Sequence, residues 1–544
     1  MSNKRSLWVG LALALALTIA GSAFAAVHAS KAGSTVSISI GAEPPSLDPG
    51  LASDTTSATV IANIMDPVIR LSKDPSLKPL HTGLAQSWTV NGTHVTLHLR
   101  KNDRWTNGKP VTAHDVVGSW LRTISPELAA DYAYQFYGIA GAEAYNSCDP
   151  SKADCNALKA KVGISAPDNY TVKITLVSPQ PWFIQQLSHT SFLPVYLPAV
   201  QQFGNKWTEA GNIVTDGPFM LKAWKHNASL TLVKNPKWRD AKSIHVNTIN
   251  LPIITDAGTA LNAYKAGQIQ VDTSSFNPSD IPSLKKQPDF HVYPNLGTYY
   301  YGFNVKTIPD VNERKALSAA IDRSAITKYI GQLGQIPAQS FTPQGIANWQ
   351  VISKGKWLPI AGADTASGLA VAKSYMAKVK NPVTDINLYV NNSAGHTKIA
   401  AAIQSNWAKI GVHATIKVLE WKQYLQFLGP PPDSSVGSYR LGWLADYPED
   451  YNFLSLWTCN SGNNNTNWCN PKYDALIKKA VNTPNTEARV AIYQQAEQLL
   501  TGKNGDMPIA PIYFYVGAYL SKANVKGFYA NPLGTDFFDG ISVG

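Results

Sequence analysis

The stretch that most constrains this chain lies at its start. Lys4 and Arg5 precede an apolar run, residues 7–20, and Ala23-Phe-Ala25 comes next as a small-x-small cleavage pattern. That is the layout of a secretory signal peptide covering residues 1–26, cut near Ala25 or Ala26. The run is too short and wrongly flanked for a membrane anchor. No cysteine lies near the cleavage site, so no lipid anchor is expected. The mature chain must therefore fold outside the cytoplasm, in a periplasm, where thiols oxidise.

The cysteines agree with that compartment. They form two close pairs, Cys148/Cys155 and Cys459/Cys469. Two local disulfides are the expected assignment, each closing a short polar loop. A zinc site is the alternative, although no histidine sits beside either pair at ligand spacing. The formal charge is +11, but the basic residues are scattered, so nucleic acid is not expected as a partner. Charged residues make up only 15% while aromatics reach 10%, a balance that suits aromatic-lined pockets as well as a large core.

Local patterns predict a mixed α+β chain long enough for two or three domains. Thr35-Val-Ser-Ile-Ser-Ile40 alternates strictly, as a half-buried strand does. Asn91-Gly92 splits two short strands, 86–90 and 94–99, into a hairpin. Further strands are expected over 170–177, 212–219, 229–233, 244–254, 299–304 and 508–515. Helices are expected over 111–123, 259–267, 312–330, 366–379, 395–410, 470–481 and 486–500. Gly267 and Gly411 close two of them. Prolines 179, 181, 194 and 198 punctuate a crossover region.

One stretch stands out chemically. Arg440-Leu-Gly-Trp-Leu-Ala-Asp-Tyr447 sets a lone carboxylate, Asp446, in apolar surroundings, where it is costly to bury unless a cation meets it. Gly442 lets another backbone come close, and Trp443 offers a flat face with one N–H. The segment reads either as a buried strand ending in a turn that Asp446 caps, or as a strand carrying an anion for an amine.

The order of several short motifs resembles a known family. They are Glu43-Pro-Pro-Ser-Leu-Asp-Pro49, Leu84-Ala-Gln-Ser-Trp88, Leu97-His-Leu-Arg100, Trp105-Thr-Asn-Gly-Lys-Pro-Val-Thr-Ala113, Phe203-Gly-Asn-Lys-Trp207, Gly211-Asn-Ile-Val-Thr-Asp-Gly217, Ala316-Leu-Ser-Ala-Ala-Ile-Asp-Arg323 and Gly442-Trp-x-x-Asp-Tyr447. Together they resemble the oligopeptide-binding proteins, extracytoplasmic receptors of ABC importers. The resemblance implies an α/β, two-lobed periplasmic-binding-protein fold, with an extra subdomain in the first lobe and a ligand cleft between the lobes. It also implies domain limits: 31–55, 195–297 and 510–544 in the main part of lobe 1, 56–194 in the extra subdomain, and 298–509 in lobe 2.

By the same resemblance, Gly442 and Trp443 belong to a strand that pairs with an extended peptide, and Asp446 meets its α-ammonium. Arg440 and His396 face the ligand's far end. Trp421, Tyr132 and the run Tyr299–Tyr301 lie near side-chain pockets, at least one of those three tyrosines being plain core. Glu43 sits at the cleft lip, where Pro44 and Pro45 lack N–H donors. Short peptides and the membrane permease subunits are the implied partners, and the receptor is expected to be a monomer with no cofactor or metal. An oligosaccharide is the alternative ligand, since 15 Trp would suit sugar stacking. No nucleophile elbow, zinc-protease motif or phosphate loop is present in the sequence, so an enzyme is not expected.

Overall fold

The computed structural model describes residues 35–74, 76–346, 365–429 and 432–544. The expected signal peptide lies outside them. An eleven-stranded sheet runs through both lobes. At its middle are two long antiparallel strands, Phe290–Phe303 and Ile509–Ser521. On one side the sheet continues through Val271–Asp272, Thr35–Ser39, Thr248–Pro252, Ser229–Lys234 and Phe219–Lys225. On the other it continues through Ser438–Leu444, Asp385–Asn391 and His413–Leu419, and the eleventh strand, Ile336–Pro337, pairs with Ile509–Ser521 off this path. The two long strands slip register between Pro294 and Thr298, where a proline cannot donate to the ladder.

A separate four-stranded sheet, Ala85–Asn91, His94–Leu99, Thr171–Thr175 and Ile164–Asp168, forms the extra subdomain. It has its own core, in which Trp120, Phe136 and Phe192 pack around Val95 and Leu97. Helix Ala113–Thr123 covers that sheet and starts with a reciprocal cap between Thr112 and Asp115. Both disulfides form, Cys148–Cys155 and Cys459–Cys469, which removes the zinc alternative.

Three expectations fail for identifiable reasons. Residues 213–216 are irregular and not a strand, because Gly217 packs directly on the Ile64 and Met65 backbone and bonds Ile64 O at 2.9 Å. The helix expected over 312–330 stops at Ala320; Asp322 caps a new start, and the buried Arg323 guanidinium takes the Ser318 and Ile321 carbonyls. The aromatic strand begins at Phe290, well before Tyr299. Helix Thr55–Ile64 has no counterpart among the expected elements. Its Thr- and Ile-containing sequence has little helix propensity, and Asp54 starts it by accepting from the Thr56 and Ser57 amides. Among the described residues no helix is long and apolar enough to cross a membrane.

Candidate functional site

A cavity of 840 Å³ lies between the lobes, lined by Asp54, Asp131, Tyr132, His189, Trp421 and the whole of 440–446, among others. Strand Ser438–Leu444 forms its floor. Ala445 donates to Leu296 O at 2.7 Å, toward the long strand Phe290–Phe303. Alternation along an antiparallel pair then turns the N–H and C=O of Leu444, Gly442 and Arg440 to the opposite edge. Pairing there with Asp385–Asn391 reaches only as far as Tyr439. Tyr424 Oη donates to the Arg440 carbonyl at 2.5 Å. Gly442 and Leu444 are left to present backbone groups to the cavity.

Asp446 ends this edge, its side chain only 7% exposed. Oδ2 accepts from Gln135 Nε2 and Asn452 Nδ2, both at 2.7 Å, and Oδ1 from Tyr132 Oη at 3.4 Å. His189 Nε2 is 3.1 Å from Oδ1. Asn452 Oδ1 in turn holds the Trp443 indole and the Asp446 amide, each at 3.0 Å, so one side chain fixes both residues. The Trp443 ring stacks on Tyr132 from the first lobe at 5.7 Å. Gln135, His189 and Asn452 are not identifiable from sequence, because single polar residues of this kind leave no pattern there. Among the described residues no Lys or Arg pairs with Asp446.

Arg440 sits at the other end of the strand and is buried, 8% exposed. Its guanidinium lies over the Tyr299 ring at 4.6 Å and donates to Tyr515 Oη at 2.7 Å and Asn391 Oδ1 at 3.2 Å. Among the described residues its Nε has no hydrogen-bond partner and no carboxylate pairs with it. Trp421 opens helix Trp421–Leu428 and points its indole N–H at Asp54, 3.4 Å away. Burial pushes the Asp131 carboxyl up to about 6.

Three expected positions fall elsewhere. Glu43 is buried and engaged by Trp224 Nε1, His226 Nδ1 and the Asn227 amide at 3.1, 2.9 and 3.0 Å, so it ties down a hairpin and does not line the main cavity. Its neighbours Pro45 and Ser46 do line it. His396 lines a second, smaller cavity and meets Tyr299 Oη at 3.2 Å. Burial, and then the Arg440 charge, hold its imidazole well below the ordinary histidine range, so at neutral pH it is uncharged. Tyr299 is wholly buried with Tyr301 in the lobe 2 core, and Tyr300 is the tyrosine of the run that reaches the main cavity.

Gly442 is required by packing as well as by the open edge. A Cβ there would collide with Tyr515 Oη, the oxygen that receives Arg440. Gly442→Ala should displace that hydroxyl and the guanidinium with it. A charge-assisted bond is worth ~1.5–3 kcal/mol, so ligand affinity should fall by about tenfold or more. Tyr515→Phe should show part of the same loss by calorimetry; unchanged binding in Gly442→Ala would contradict this role.

Comparison with known proteins places this geometry. The family model for bacterial extracellular solute-binding proteins, family 5, matches residues 79–465. The chain is 32% identical to the oligopeptide-binding protein OppA of Bacillus subtilis over 94% of this chain and 92% of that protein. It is 34% identical to the periplasmic OppA of Escherichia coli over 90% and 88%. It superposes on the E. coli murein tripeptide binding protein MppA with a TM-score of 0.85 at 29% identity, covering 94% and 99% of the two chains. Haemophilus influenzae OppA in complex with the peptide RPPGFSPFR also gives 0.85, at 28% identity and 94% and 99% coverage. The unliganded open form of MppA gives only 0.62, at 29% identity and 94% and 98% coverage. The chain belongs to the bacterial extracellular solute-binding proteins of family 5.

Proposed function

We propose that this protein is the extracytoplasmic receptor of an ABC importer and that it carries short peptides. One observation carries the reading: a buried carboxylate and a buried guanidinium, neither matched by an opposite Lys, Arg, Asp or Glu among the described residues, mark the two ends of one open strand edge. Unmatched buried charges are costly, and a zwitterion with a polar backbone between its ends relieves both. The peptide's ammonium meets Asp446, its main chain pairs with Gly442 and Leu444, and its carboxylate meets Arg440. The relatives named above are oligopeptide- and murein-peptide-binding proteins. A neutral oligosaccharide could stack on Trp421 but would leave both charges unmatched.

The chain is exported through a cleaved signal peptide and works in the periplasm as a monomer. It delivers its ligand to membrane permease subunits and catalyses no reaction. Peptide length tests the reading. About six residues of strand separate the two charges, a span of roughly 20 Å, and the two side chains reach inward from its ends. Peptides of roughly two to five residues should bind, with one preferred length, and C-terminal amidation should weaken that length most. A flat titration profile from dipeptides to decapeptides would remove the far anchor and this reading with it.

A further inference from the structure

One neighbour of Asp446 can change its own charge at ordinary pH. His189 Nε2 stands 3.1 Å from Asp446 Oδ1, and the two side chains are only 12% and 7% exposed. The other ring nitrogen fixes the form of the imidazole. His189 caps the single turn Thr190–Phe192, its Nδ1 accepting from the Ser191 amide at 3.3 Å. An amide N–H only donates, so Nδ1 carries no proton in this arrangement. The one ring proton is on Nε2, which donates to Asp446, and the carboxylate keeps its full charge for a ligand's ammonium. A second proton also has a place. Ser191 Oγ lies 2.9 Å from Nδ1 and can accept from it once the amide is released. The imidazolium so formed lies against the carboxylate and cancels its charge.

The other titratable groups around this pair behave differently. The Tyr132 ring packs on His189 at 4.6 Å and on Tyr134 at 6.0 Å. Burial, and then the Asp446 charge, push both phenols well above the ordinary range, so both stay neutral. Asp131 and Asp54 line the same cavity, and burial raises both carboxyls, so acid neutralises them as well. Their titration needs no imidazole at position 189, which separates it from that of His189.

We propose that His189 makes peptide capture pH-dependent by occupying Asp446, once protonated, in place of the peptide's amine, an inference that rests on the proposed function. Ammonium and imidazolium compete for one carboxylate, so the liganded protein takes up the second His189 proton less readily than the empty one. By linkage, affinity is full where His189 is neutral and falls as the pH falls. The ligand's own ammonium stays charged across that range, because an α-amino group titrates near about 7.7–8.0.

The test is calorimetric titration of a short free-amine peptide at two pH values. Affinity should fall about tenfold from about pH 7 to about pH 5 in the unaltered protein. Glutamine at this position keeps an N–H donor but cannot charge, so in His189→Gln the ratio between the two pH values should shrink to about threefold or less. Circular dichroism checks that the variant folds. Nitrogen-15 NMR of the imidazoles reads the same event without a substitution: between about pH 5 and about pH 7, peptide should convert one ring from charged to neutral. An affinity that holds steady or rises on acidification overturns the role of His189 and leaves the peptide reading standing. A fall as steep in His189→Gln as in the unaltered protein, or no imidazole changing charge on binding, also overturns it. Failure of every peptide to bind at either pH overturns the peptide reading and this inference together.

Discussion

Replacing Asp446 with alanine should abolish the difference between a free-amine peptide and its N-acetylated form. In the unaltered protein that difference should exceed about tenfold, on the order of 2–5 kcal/mol, much of it the penalty of leaving a buried charge unpaired. The size follows from the surroundings. Asp446 is 7% exposed, and its side chain is held by the neutral amides of Gln135 and Asn452, the Tyr132 hydroxyl and the His189 ring. The two amides and the hydroxyl fix the carboxylate in place without cancelling its charge, which is how a pre-organised ammonium site is built. The comparison of ratios matters, because Asp446→Ala also strands Gln135 and Asn452 and would lower affinity for either peptide. Equal affinity of the unaltered protein for free and acetylated peptides would refute the assignment.

Much of the candidate site's lining is legible in the sequence where the relevant groups are contiguous. Arg440, Gly442, Trp443 and Asp446 lie on one short segment, and a carboxylate among Leu, Ala and Tyr is conspicuous because burial makes it costly. Sequence alone does not supply which side of an element faces which cavity. A strand's period of two separates Tyr300 from Tyr299 and Tyr301 but does not say which set faces the main cavity; Tyr299 packs against His396 and Tyr513, and Tyr300 lines the cavity. The same gap misplaces His396, in the first turn of a helix whose start lines the smaller cavity. Glu43 fails differently. Its three partners come from residues 224–227, and nothing near position 43 announces them. The motif around it is structural too, since Asp48 holds Arg122 and the Trp207 indole.

Ligand binding should also close the two lobes, visible as a fall in the radius of gyration by small-angle X-ray scattering. The groups that would hold a peptide come from both lobes: Tyr132, Gln135 and His189 from the first, and Arg440, Trp443 and Asp446 from the second. Neither wall alone excludes water, so the contacts reach full strength only when the walls meet, and that difference in affinity is what shifts an open–closed equilibrium. This chain superposes far better on MppA at 0.85 than on its unliganded open form at 0.62, so its lobes stand close together. Contacts outside the cavity hold them there. Trp182 of the extra subdomain stacks on Tyr451 at 5.8 Å and lies under the Arg489 guanidinium at 4.9 Å, and Ser178 Oγ donates to Val481 O at 2.8 Å. The slip of register between Pro294 and Thr298 gives the long strands a place to bend. Trp182 is not among the residues that line the cavity, yet Trp182→Ala should weaken peptide binding several-fold by removing contacts that hold the walls together. A cation–π pair of ~0.5–2 kcal/mol corresponds to about twofold to thirtyfold. Identical scattering with and without saturating peptide, together with unchanged affinity in Trp182→Ala, would replace the hinge with a preformed pocket.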